Sequence, residues 1–367
     1  MKQNVFKLLK VTVKYLILFL ISDIIFSNYI YTEKFSHRCK IDIEGYWGLK
    51  PNCRVVEKYV KHMKPYTVRT DKIGLRFSGA QRHLNKKNVI FLGDSFTYGL
   101  GLNYEDTYVG ILEKKNTEYN YLNYGVEGYS PSVYHYQIEN IIKSKINFDK
   151  VILTLDISDF AEESHGWRYE KNDKYPIRIG SLQKKKKKEE KETFKKKNFK
   201  ASRFISREIN TFFRTVKINF AEKNRKKNQI PGRSSMGSFI YTDLKDIDPN
   251  MWSPLGFEEG VKKIQEKIIQ ISSLTRSNNA EFYILVWPWP DTLQFGQTQF
   301  NLEKFAENLC KKSKCKKLIN VINEFDKIKK SDQNWLNNLY IHADLHTNKF
   351  GNEIISKVIM KDAFNDF

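Results

Sequence analysis

Five short apolar runs, separated by stretches of helical periodicity, constrain the fold of this chain more than any other feature. From Asn88 onward they are NVIFLG (88–93), YNYLNYGV (119–126), KVILTLDIS (150–158), AEFYILVWP (280–288) and LINVIN (318–323). Between several of them lie TYVGILEKK, SVYHYQIENIIKSK and EEGVKKIQEKIIQISSLTR, in which apolar residues recur at helical spacing. Strands apolar on both faces must be covered on both. The alternation therefore predicts an α/β fold, a parallel sheet between two layers of helices. With 367 residues, 40% of them hydrophobic, the chain can bury one large core. Ligands of open parallel sheets bind beyond the carboxyl ends of the strands. The first run ends there, in FLGDSFTYGLG (91–101), with Ser95 among small residues that permit a tight turn.

Residues outside this pattern are predicted to be attachments. Lys2, Lys7, Lys10 and Lys14 precede an apolar segment that runs to Tyr31. As a helix, Val11 to Tyr31 would extend roughly 30 Å, the thickness of a hydrocarbon layer, with Asp23 as an unfavourable insertion. Residues 1–31 are accordingly expected to form a transmembrane signal anchor, with the body outside the cytoplasm; a cleaved signal peptide is the alternative. Residues 32–87 form a turn-rich lead-in expected to pack on the main domain, 88–365. About 120 residues separate the third and fourth runs, and the insertion at about 165–240 includes a Lys-rich block, 184–200, expected to be solvated and disordered. After it, Phe204, Ile205, Phe212, Phe213, Val216 and Phe220 alternate with basic residues, as in an amphipathic helix. Packing on the domain is the favoured role for this helix, and lying on anionic lipid is the other.

The net charge of +21 is spread along the chain outside that one block, and export would remove nucleic acid as a partner. Four cysteines form two local pairs, Cys39 with Cys53 and Cys310 with Cys315. An even count in an exported chain permits disulfides, and the spacings do not suit common zinc sites. Sequence leaves the connectivity open.

A nucleophilic serine needs a base for its proton and donors for the oxyanion. Near the carboxyl end, YIHADLHTNKFGNE places His342, Asp344 and His346 in alternation, so that an extended segment would turn all three to one side. A helix is predicted to start at Thr347 or Asn348. His37, His62, His83, His135 and His165 have no carboxylate at a motif spacing. Trp287 and Trp289, in WPWPDTL, follow the fourth run and are candidates for stacking on sugar rings, although residues at such a position more often join the core.

Taken together, GDSFTYGLG (93–101), NYGVEGYS (123–130) and DLHTNKFG (344–351), in this order on this strand pattern, resemble the SGNH branch of the GDSL esterases and acyltransferases. The similarity extends from about residue 70, where TDKIGLRF resembles a segment preceding the serine block in membrane-anchored members, to about residue 360, omitting most of 165–240. The resemblance implies a flavodoxin-like three-layer α/β/α sandwich, with Ser95 as nucleophile, His346 as general base and Asp344 orienting it. It also implies an oxyanion hole from the backbone N–H groups of Ser95 and Gly125, with Gly125 leaving room for an acyl group. In LDISDF (155–160), Ser158 stands where the family has an oxyanion-hole asparagine and Asp156 where it has glycine. Ala343 holds the position of the family's more usual carboxylate. No metal or organic cofactor is implied.

The expected function is a membrane-anchored extracytoplasmic serine esterase or O-acyltransferase, acting on acyl, foremost acetyl, esters of a cell-envelope glycan. The alternative is a non-catalytic relative that binds polysaccharide or scaffolds a membrane complex. The partners expected are the membrane, through the N-terminal helix, and the glycan.

Overall fold

The structure is a computed structural model. It describes residues 2–27, 39–43, 46–59, 64–83, 85–164, 167–169, 174–178, 199, 201–202, 205–206, 209–210, 212–213, 216, 255–297, 300–342 and 344–364. The block at 184–198 and the end of the expected anchor, through Tyr31, lie outside these residues.

Helix α1 (Lys2–Ile25) opens the chain. Four lysines and Asp23 interrupt its apolar residues, and among the described residues no helix is long and apolar enough to cross a membrane. The carboxylate of Asp23 is buried, accepting the backbone N–H groups of Ala201 and Ser202, each at 2.8 Å, and the Ser27 hydroxyl at 3.1 Å. It thus caps the helical turn that begins at Ala201. The apolar residues described there, Ile205, Ile209, Phe212, Phe213 and Val216, are exposed. Their expected packing on the domain is corrected at these positions; Phe204 and Phe220 lie outside the described residues.

Two hairpins follow. Strands β1 (Lys40–Ile43) and β2 (Tyr46–Leu49) pair antiparallel, as do β3 (Arg54–Glu57) and β4 (Tyr66–Arg69). The Cys39–Cys53 disulfide ties them together, and Cys310–Cys315 closes a second local loop.

The main domain then alternates as its periodicity predicts. In chain order it runs β5 (Lys87–Leu92), α2 (Ser95–Tyr98), α3 (Tyr108–Lys115), β6 (Tyr119–Asn123), α4 (Pro131–Lys143), β7 (Lys150–Thr154) and α5 (Ile157–Ser164). A short pair, β8 (Trp167–Arg168) and β9 (Ile177–Arg178), leads into α6 (Phe257–Ser277), β10 (Glu281–Val286), α7 (Pro290–Phe295) and α8 (Leu302–Ser313). Strand β11 (Lys317–Asn320), α9 (Ile322–Ser331), α10 (Trp335–Leu339) and α11 (Lys349–Ala363) complete it.

All pairings in the main sheet are parallel, in spatial order β6, β5, β7, β10, β11. Successive strands are added on one side of β5, the first strand, and then on the other, so the crevice between the ends of β5 and β7 is the switch point at which such sheets bind ligands. Helices α3 and α11 pack together in one layer, and α6 packs with α4, α5 and α8 in the other. Fully buried residues of all five strands, among them Val89, Ile90, Ile152, Leu285 and Ile319, form one core with these helices. Glu163, on α5, fixes the second layer: its carboxylate accepts the Ser130 and Ser132 hydroxyls and the Ser132 N–H at the start of α4, and pairs with Lys263 of α6 at 3.0 Å.

Candidate active site

The turn after β5 explains the unusual composition of FLGDSFTYGLG. Gly93 has no room for a side chain, because a Cβ there would lie 2.0 Å from Thr97 Oγ1. Asp94 caps α2 by accepting the Phe96 N–H at 2.9 Å, which places Ser95 at the first position of the helix, at the carboxyl edge of the sheet. The helix lasts four residues and is stopped by Gly99 at φ 80°, a left-handed conformation suited to glycine.

Arg76, within TDKIGLRF, holds that stop from behind. Its side chain is fully buried and its guanidinium donates to the carbonyls of Tyr98 (2.5 Å), Gly99 (2.7 Å) and Leu102. It also lies 4.7 Å from the Tyr98 ring, and a cation at a helix carboxyl end is favourably placed. Asn123, at the end of β6, donates to the Thr97 carbonyl at 2.7 Å. Neither residue was singled out from sequence, although both lie inside quoted blocks; their partners are tens of residues away.

His346 Nε2 stands 2.8 Å from Ser95 Oγ, and its Nδ1 stands 2.5 Å from Asp344 Oδ1. The same carboxylate oxygen accepts the His346 backbone N–H at 2.9 Å, so the side chain and main chain of His346 are oriented by one group. Burial opposes ionisation of Asp344, yet the imidazole and the hydrogen bonds to the carboxylate outweigh it and hold the carboxyl below its ordinary range. The segment is a closed loop rather than the expected extended stretch: the Ile341 N–H donates to the His346 carbonyl and the Asp344 N–H to the Ile341 carbonyl. The loop turns His342 away to the surface, where its ring lies 3.3 Å from Asn337 Oδ1. Helix α11 starts as predicted, with Asn348 capping the Gly351 N–H at 3.1 Å.

Two of the three expected oxyanion donors, Gly125 and Ser158, are arranged differently. The Gly125 N–H donates to Asn123 Oδ1 at 2.9 Å. The space Gly125 provides is for the protein itself, since a Cβ there would lie 2.3 Å from the Tyr98 nitrogen and 2.6 Å from the Thr97 carbonyl carbon. Ser158 Oγ contacts Asp156 Oδ1 at 2.6 Å and Asp94 Oδ2 at 3.1 Å. A hydroxyl has one proton, so both contacts are hydrogen bonds only if one carboxyl is protonated. Asp156 fits that role, because burial and then the neighbouring Asp94 charge push its carboxyl well above the ordinary range. Burial raises Asp94 as well, against the Phe96 N–H, the His346 imidazole and the Ser158 hydroxyl. Asp159 is raised by burial and the charges of Asp156 and Asp94.

Trp287 and Trp289 are in the core, with ring centroids 5.1 and 6.1 Å from Phe96. The expectation that they stack on sugars is therefore corrected. A partly exposed indole is found instead at Trp47, bordering a groove of about 620 Å³ lined also by Lys40, Glu127, Gly128 and Arg178. Among the described residues no cluster of three or more His, Cys, Asp or Glu side chains is placed to hold a metal ion.

Residues 53–286 match the family described as "Protein of unknown function (DUF1574)". The chain belongs to that family. The matched stretch contains Ser95, Gly125 and Ser158 and ends before Asp344 and His346, which in this DUF1574 chain are brought to Ser95 by the fold. No curated protein matches the sequence. Among solved structures, this DUF1574 protein is similar to a member of the lipolytic G-D-S-L family from Veillonella parvula, at 13% identity, TM-score 0.42, over 76% of this chain and 100% of that one. It is also similar to the psychrotrophic esterase EstA from Pseudoalteromonas sp. (11%, TM-score 0.38, 76% and 97%). A third is Axe2, an acetylxylan esterase from Geobacillus stearothermophilus (8%, TM-score 0.39, 75% and 93%). At these levels of likeness, the geometry of the site carries the functional reading.

Proposed function

We propose that this protein is a serine esterase or O-acyltransferase that forms an acyl-enzyme on Ser95, acting outside the cytoplasm on acetyl esters of a cell-envelope glycan. One observation carries the reading: a serine at the start of a helix, at the switch point of a parallel sheet, stands 2.8 Å from an imidazole whose other nitrogen is 2.5 Å from a buried carboxylate. His346 takes the Ser95 proton as Oγ attacks the ester carbonyl, and Asp344 stabilises the imidazolium. The proton then passes to the departing alkoxide as the tetrahedral intermediate collapses. Water or a sugar hydroxyl, deprotonated by the same imidazole, attacks the acyl-enzyme and frees Ser95. Water yields hydrolysis and a sugar hydroxyl yields transfer.

Support for the location comes from the lysine-then-apolar order of the first residues and from two disulfides, which persist in oxidising compartments. In this reading the N-terminal segment tethers the body to the membrane. Support for a glycan comes from the groove at Trp47, where Lys40, Arg178 and Glu127 offer donors and an acceptor to sugar hydroxyls; Lys40 and Arg178 lie over the indole itself. Loop residues Glu127 and Gly128 lead to that groove from Gly125. The commitment of the Ser158 hydroxyl to Asp156 and Asp94, and of the Gly125 N–H to Asn123, favours the rival reading of a non-catalytic glycan-binding protein, because both groups are expected oxyanion donors.

Reaction of the purified full chain with a fluorophosphonate, followed by intact mass, separates the two. Labelling of wild type and none of Ser95→Ala supports the acyl-enzyme. Absence of labelling with retained glycan binding supports the rival.

A further inference from the structure

Tyr59 follows β3 in the lead-in, far from every residue of the three motif blocks. Its hydroxyl donates to Asp344 Oδ2 at 2.9 Å, the carboxylate oxygen that His346 does not use, and lies 3.5 Å from His346 Nδ1. The phenol ring stands edge-on to the imidazole, centroids 5.6 Å apart at 89°. On its other side the imidazole packs on Phe96, centroids 4.6 Å apart. The Asp344–His346 pair is thus bounded by Tyr59 on one side and by α2 on the other.

We infer that Tyr59 is a positioning residue for the Asp344–His346 pair, so that the N-terminal lead-in is a working part of the active site. This inference rests on the catalytic reading of Ser95. An Asp344 carboxylate held only through Oδ1 could rotate about its Cβ–Cγ bond; a donor on Oδ2 fixes the plane in which the imidazole must lie. The lead-in is built to hold the phenol there. Tyr59 lies six residues after Cys53, whose disulfide joins the hairpins, and Cys39, Tyr66 and Val68 share a small core with Tyr98 and Leu100 of the nucleophile segment. The same segment that seats the turn after Ser95 therefore seats Tyr59 against the base.

Asp344, hydrogen-bonded to Tyr59, and Asp94, on the α2 side, are charged groups on the two sides of His346. Tyr59 is among the donors that hold the Asp344 carboxyl low, so loss of the phenol leaves Asp344 a stronger acceptor for the imidazole. In the purified full chain, Tyr59→Phe keeps the ring and removes the donor. Hydrolysis of p-nitrophenyl acetate by Y59F is expected to show kcat lowered about 10-fold, the order of a hydrogen bond to a carboxylate, with KM unchanged. The acid limb of its pH profile moves upward. A variant with wild-type kcat and an unmoved limb, whatever its melting temperature, assigns Tyr59 to packing and overturns the inference. If wild type neither hydrolyses the ester nor reacts with a fluorophosphonate, the catalytic reading fails separately. The far-downfield proton resonance of the His346–Asp344 hydrogen bond then decides: a shift or loss in Y59F supports the positioning role, and an unchanged resonance contradicts it.

Discussion

Replacement of Arg76 should unseat the nucleophile without touching it. The guanidinium is fully buried and is the donor to three carbonyls, those of Tyr98, Gly99 and Leu102, at the end of the four-residue helix that begins with Ser95. A hydrogen bond from a charged group is worth about 1.5–3 kcal/mol, so three bonds represent about 4.5–9 kcal/mol before compensation. Relief from burying the cation, and water entering the space it leaves, reduce the net loss to about 3–5 kcal/mol, the usual range for breaking a buried charged network. At about 2–4 °C per kcal/mol for a domain of this size, Arg76→Ala should melt about 6–20 °C lower, by differential scanning calorimetry. Arg76→Lys, with one compact donor group, should recover part of the melting temperature and little of the activity, because an ammonium cannot span carbonyls from Tyr98 to Leu102. Esterase activity measured well below the variant's melting temperature separates the two effects. A variant that melts within 2 °C of wild type and hydrolyses p-nitrophenyl acetate at the wild-type rate would refute the view that Arg76 sets the turn after Ser95.

Three further outcomes follow from the site. Gly125→Ala places a Cβ 2.3 Å from the Tyr98 nitrogen, so α2 must shift; urea titration should show a loss of about 1–3 kcal/mol, accompanied by a fall in kcat. Ser158→Ala should keep kcat within about threefold, because its hydroxyl is committed to Asp156 and Asp94; a fall of about 100-fold would show that it serves the oxyanion after all. Asp156 is raised in the fold above its ordinary 3.8, so its protonated form is the one folding favours. That contribution is full below the unfolded value and is lost as pH rises through the folded one. Asp156→Asn should therefore gain melting temperature relative to wild type between pH 4 and pH 8, whereas parallel curves would show that Asp156 is not raised.

The sheet was legible because a strand apolar on both faces leaves a continuous signal, and each of the five runs from Asn88 to Asn323 overlaps an observed strand. Several strands end earlier than their apolar runs. After Asn123 and Thr154 the chain stays buried while it turns toward the site, and burial alone does not distinguish a strand from a buried turn. Ser95, Asp344 and His346 were readable because each sits in a short block with its own glycine or capping residue. Tyr59 was not, because its partner lies 285 positions away and nothing in its neighbours marks it. Trp47, within β2, and Trp287, just after β10, illustrate the same limit, since an indole in or beside a strand has one appearance in sequence whether it borders a groove or fills the core. His342 was misplaced because alternation predicts a common face only in extended chain, and this loop closes on itself.

The central claim is that Ser95 is a nucleophile activated by His346. The most direct test is the acyl-enzyme: mix the full chain with p-nitrophenyl acetate, quench in acid within the first turnovers and weigh the intact protein and its peptides. The account predicts one added acetyl group on the peptide containing Ser95, accompanied by a burst of p-nitrophenol, and neither in Ser95→Ala. Equal p-nitrophenol release by wild type and Ser95→Ala, with no mass added to that peptide, would contradict it.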